Sequence, residues 1–265
     1  MSLSRLALRL AAVEALRPSA TGSAGPFPTL AGPRVYDSRL DVIDTLSDID
    51  AKPMLLVYTE EQNNKPYGNA VHRPDESIVT LVVEISVALR GEVEIAHPDG
   101  TTETVNTVET PLTDREHEAL LDVLEATVRR VFDRNATVAS AALFFLVAME
   151  VRAIESEPLR DADKTTRLAA RTLKFTVKVV GDRWPVPTLP PSPAATGLAR
   201  LPEPLASVAR AVPSTSSAGA LLARVAAWLP DPDGLTPLAA INPSVALDRG
   251  TPSFDDVAGV VLTET

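Results

Sequence analysis

The stretch from Ile78 to Leu89 constrains this chain more than any other. Val79, Leu81, Val83, Ile85 and Val87 fall on one side of an extended segment, and Thr80, Glu84 and Ser86 on the other. Side chains alternate across a strand, so this pattern demands a sheet with one face against a core and one face more polar. Such one-sided sheets are antiparallel, and their apolar face needs another layer to cover it.

Other segments supply partners for this strand. Pro53-Met-Leu-Leu-Val-Tyr-Thr59 reads as a strand bounded by proline on one side and the polar run Glu60 to Asn64 on the other. Thr172 to Val180 alternates Leu173, Phe175, Val177 and Val179 with Thr172, Lys174, Thr176 and Lys178, and reads as a closing strand. A hairpin is expected over 91–106: Val93 and Ile95 ascend, Pro98-Asp-Gly100 turns, and Thr102 to Val105 descends. Residues 60–76, with Lys65-Pro-Tyr-Gly-Asn69 and Arg73-Pro-Asp75, have the composition of an exposed loop or arm, a place for partner contacts. Tyr36 to Asp50 has no clean period beyond a short initial strand, and carries Asp37, Asp41, Asp44, Asp48 and Asp50.

Helical spacing appears elsewhere. Leu3, Leu6, Leu10, Val13 and Leu16 recur at steps of three and four, with Arg5, Arg9 and Glu14 on the opposite face and Pro18 ending the helix. Residues 18–33, rich in Pro, Gly, Ser and Thr, read as a loop. Thr113-Asp-Arg-Glu116 is a capping box, followed by an apolar face of Leu120, Leu121, Leu124, Val128, Val131 and Phe132. Asn135 to Met149 reads as a second, largely buried helix. Met149 to Ile154 fits either its continuation or a strand. Asp161 to Ala169 is expected to be a short helix.

The fold class expected is therefore α+β: a mostly antiparallel sheet flanked by helices, with a Pro-rich C-terminal extension. Residues 1–181 read as the core domain. Beyond Gly181 the texture changes, since Trp184 to Pro193 holds five prolines and favours an extended spacer over a packed element or a PxxP ligand. The remainder of 182–265 is expected to carry helices over Pro204–Ala211 and Ala218–Leu229 and a strand in Asp255–Leu262.

Composition narrows the chemistry. The chain has no cysteine, which removes disulfides, thiolate nucleophiles and Cys-ligated metals. A formal charge of -10 and few aromatic residues oppose a phosphate-neutralising surface with base-stacking platforms. The apolar run Ala141 to Val151 is far short of the roughly 20 residues needed to span a bilayer. At the N-terminus Arg5 and Arg9 interrupt the leucines, unlike a secretory signal. His72, His97 and His117 lack the spacing of metal ligands, and there is no nucleophile elbow, phosphate loop or dinucleotide fingerprint. The acidic run Asp37 to Asp50 does not match a calcium loop and reads as a solvated face or channel lining. Lys174 and Lys178 with Arg171 pose the question of an anion site; the simpler reading is the solvent or interface side of their strand. No catalytic, cofactor-binding or metal-binding residue is assigned. An enzyme built on scattered carboxylates, which leaves no local motif, is the alternative from another class.

In element order the chain resembles the tail terminator, or tail-completion, proteins of long-tailed bacteriophages. The resemblance rests on the opening helix Leu3 to Leu16, the strand Pro53 to Thr59 after an acidic stretch, the long strand Ile78 to Leu89, the helix Thr113 to Phe132, and Arg167-Leu-Ala-Ala-Arg-Thr-Leu-Lys-Phe-Thr-Val177. It covers residues 1–181; the segment 182–265 has no counterpart in it. It implies a virion protein assembled in the host cytoplasm into a homo-oligomeric ring, commonly a hexamer. Such a ring caps the tail-tube protein, docks on the head connector, and lets DNA through its lumen without specific binding or any membrane. Under that resemblance Lys65, Tyr67 and Arg73 in the loop 60–76, Glu92, Glu94 and Asp99 in the hairpin 91–106, and Trp184 become candidate interface residues, Glu92 and Glu94 also as lumen lining. Another neck or tail component, such as a head-completion or tail-tube protein, is the alternative within the class.

Overall fold

A computed structural model describes residues 3–21, 25–38, 52–66, 74–96, 102–109, 114–135, 138–161, 168–184 and 196–229. The fold is α+β. Helix α1 (Ser4–Leu16) is followed by strands β1 (Val35–Asp37), β2 (Lys52–Pro66), β3 (Pro74–Ala96) and β4 (Thr102–Glu109). Then come α2 (Asp114–Val131), α3 (Ala142–Val147), β5 (Ala148–Asp161), β6 (Leu168–Val179), α4 (Leu205–Ala211) and α5 (Ser217–Trp228). The sheet runs β1-β2-β3-β6-β5, with β4 paired to β3. Among the described strands only β1 and β2 are parallel.

The alternation in β3 does what its sequence demands. Val79, Leu81, Val83, Ile85 and Val87 are fully buried, beside Leu55 and Val57 of β2 and Leu173, Phe175, Val177 and Val179 of β6. All belong to one apolar cluster with the helices. Phe132 sits against Phe144 at a ring separation of 4.4 Å and meets Phe175 edge-on at 5.2 Å, tying the end of α2 and α3 to β6.

Helix α1 is more deeply placed than an amphipathic reading implies. Its alanines make the difference: Ala7, Ala11, Ala12 and Ala15 are buried with Leu8, Leu10, Val13 and Leu16, and small side chains let neighbouring elements approach from several directions. α1 packs against α3, α4 and the sheet. Its supposedly outward arginines are anchors. Arg5 donates to the hydroxyl of Thr59 at 2.8 Å and to the Thr59 carbonyl, and Arg9 pairs with Asp37 at 2.6 Å.

The N-terminus of α1 has no cap of its own. The first amides of a helix lack intrahelical acceptors, and here Asp182 supplies them from beyond β6. The Leu3 N–H donates to Asp182 Oδ2 and the Ser4 N–H to Oδ1, both at 2.7 Å. A carboxylate at this position also suits the positive end of the helix dipole.

Of the loop or hairpin arm expected over 60–76, the described residues form the arm, because β2 continues to Pro66 and β3 starts at Pro74, paired antiparallel. A bulge between Thr59 and Gln62 absorbs the glutamates. Past it, Gln62 donates to Ser77 at 2.9 Å, and Ser77 to Asn64 at 2.8 Å, a polar ladder in place of apolar alternation. The helix expected over 135–149 shrinks to a 3-10 turn, Ala139–Ala141, and α3, because from Ala148 the backbone bonds to β6 instead. The helix expected over 161–169 loses its ends, since Asp161 ends β5 and Leu168 begins β6 in register with it. Residues 162–167 and the expected strand 255–262 lie outside the described residues.

The C-terminal helices start as their spacing predicts and pack on the core. Leu205, Val208, Val212, Leu222 and Val225 join the same cluster as α1, and Arg183 and Glu203 exchange backbone hydrogen bonds at 2.8 and 3.0 Å. Gly219 is required at the first turn of α5: its N–H reaches the Ser216 cap at 3.0 Å, and a Cβ there would overlap the Pro213 carbonyl oxygen.

Removing the distant cap should expose two amides at once. Asp182→Ala is expected to destabilise the protein by about 1–2 kcal/mol, with Asp182→Asn recovering part of that; urea denaturation of the three proteins measures it.

Candidate functional site

One edge of the sheet has no further partner among the described residues. β5 lies at the end of the strand order and pairs with β6 alone among the described strands. Its residues 152–158 are exposed. Unpaired edges present a row of backbone donors and acceptors that another strand can use.

A groove of about 660 Å³ runs beside the start of this edge, between α2, α3 and β5. Phe145, Met149 and Ile154 give it an apolar lining, and its charged groups are mixed: Arg129, Arg130 and Arg134 beside Asp133 and Glu150. The same elements carry large apolar side chains in solvent: Val123 of α2 is 48% exposed, Leu146 of α3 49%, and Met149 and Ile154 of β5 52% and 38%. Scattered apolar surface is ordinary, but clustering beside an open strand is the signature of a contact surface.

The three arginines are held differently. Arg134 donates to the carbonyls of Ala148 and Met149 at 2.9 and 3.2 Å and lies over the Phe145 ring, 5.2 Å from its centre. Arg129 reaches Glu125 one turn back at 2.6 Å. Arg130 is exposed and makes no ion pair with any described residue.

The position of α2, and so the width of the groove, depends on Arg171. It does not share a surface with Lys174 and Lys178, as an anion site would require: odd-numbered β6 residues face the helices. Arg171 is surrounded by carboxylates of α2, with Asp122 at 2.6 Å, Glu125 at 2.8 Å and Glu118 at 3.2 Å. It is thus a clamp between helix and sheet. Glu125 also accepts from Ser156 of β5 at 3.0 Å. Burial opposes ionisation of Glu125, yet hydrogen bonds from Arg171 and Ser156, with the charge of Arg129, hold it below its ordinary value.

The opposite face of the sheet is mixed. Tyr58 donates to Glu84 at 2.6 Å, and burial together with that carboxylate pushes the phenol upward, so it stays a neutral donor. Lys174 pairs with Glu157 at 3.1 Å. Positive and negative groups alternate there.

The arm is the third feature. β3 outruns β2 and β6: among the described residues Leu89 to Ala96 pair only with β4, placing Glu92 opposite Asn106, Val93 opposite Val105 and Glu94 opposite Thr104. The expected hairpin is present as this projecting ribbon. Of the other candidate residues, Lys65 is exposed near the end of β2, and Trp184 is exposed beside the Arg183–Glu203 bridge. Tyr67, Arg73, Asp99, His72 and His97 lie outside the described residues; His117 is placed in α2 by its backbone only. Of the acidic run, Asp37 is a partner of Arg9 instead of a solvated group, and 39–50 lie outside the described residues. Among the described residues no cluster of His, Asp or Glu is arranged to hold a metal, and no helix is long and apolar enough to cross a membrane.

The groove escaped the sequence reading because its floor is a strand that periodicity left undecided. The clamp was legible by counting back two residues from Leu173. The sequence matches no protein-family model and no curated protein.

Arg171→Met should remove the cation shared by Glu118, Asp122 and Glu125 and leave Arg129 to hold Glu125, lowering stability by roughly 2–3 kcal/mol after allowing for solvent at the rim; thermal and urea denaturation check this. Because the folded-state value of Glu125 is depressed, its contribution is complete above the ordinary carboxylate range and is lost as pH falls through the folded value. Glu125→Gln should therefore flatten the acid side of the stability curve below about pH 5, seen in melting temperatures across that range.

Proposed function

We propose that this chain is a ring-forming structural subunit of a phage-type tail, a tail terminator that caps the tail tube and joins it to the head connector. The observation that carries the reading is the open edge of β5 with its apolar groove, at the opposite end of the sheet from the projecting β3–β4 ribbon. Two dissimilar surfaces on one subunit permit head-to-tail contact between copies, and repeated head-to-tail contact with a fixed rotation closes a ring.

Element order supports the same reading: an opening helix, long antiparallel strands and a helix over the sheet, as in tail terminators. The acidic composition suits a passage through which DNA slides without adhering. Helices α4 and α5, packed on α1, thicken the layer on the helical face. In this role the protein acts by shape, and its partners are its own copies, the tube protein and the connector.

Electron microscopy of the purified full-length chain, with native mass spectrometry, tests this directly. Rings of one stoichiometry with a central hole, which halt polymerisation of tube protein, are the expected result. Long tubes of this chain alone would make it a tube subunit; monomers at every concentration, with no binding to tube protein, would overturn the reading.

A further inference from the structure

We draw no further inference here: the strongest candidate, the groove between α2, α3 and β5, holds charges of both signs along its apolar lining, and nothing in the structure shows what covers it.

Discussion

A helix buried on most of its circumference must find acceptors for its first amides inside the protein, and α1 finds them in a single carboxylate from the far end of the fold. Asp182 reaches Leu3 and Ser4 only after the chain has laid down every strand of the sheet. That bond makes the first turn of α1 depend on the residue that follows β6. The arginines of α1 act in the same sense, since Arg5 and Arg9 hold the helix to β2 and to Asp37 of β1. With α1 fixed, α3 and α4 have a surface to pack against, and the apolar core closes on one side of the sheet.

Placing the core on one side leaves the sheet with distinct boundaries. β5 ends the strand order, and what lies beside it is decided by α2. Arg171 determines that, because one guanidinium gathers three carboxylates from successive turns of the helix. Loss of this pairing would cost more in the position of α2 than a hydrophobic contact of similar area, since the carboxylates left behind repel one another. The groove is thus a by-product of an ionic contact on the inner face, joined to its lining through the pair Glu125–Arg129.

Much of this could be read from residue order, and the failures have physical causes. The strand Ile78–Leu89 and the face of α2 were plain because burial imposes a period on them. The edge of β5 was not, since Met149 to Ile154 carries no alternation until pairing with β6 fixes it, bulges included. The polar half of β2 was hidden for a related reason: Gln62, Asn64 and Ser77 hold their strands with side-chain amides and a hydroxyl, which look like loop chemistry in one dimension. The small residues of α1 misled in the other direction, since alanine is easily passed over when leucines mark a face. Of the candidate contact residues, those on the ribbon have a structural setting and Tyr67, Arg73 and Asp99 do not, because they belong to turns outside the described residues.

The continuity of β3 has a mechanical consequence. Its 23 residues pass without a break from the Pro74 end, between β2 and β6, and out into the ribbon. A pull on the tip along the strand axis loads many cross-strand hydrogen bonds in shear at once, instead of peeling them one after another. Close-packed interiors transmit such strain with little give. Force arriving at the periphery of the molecule is therefore delivered to its stiffest line and spread over both flanking strands, which is how a tension member, as opposed to a hinge, behaves.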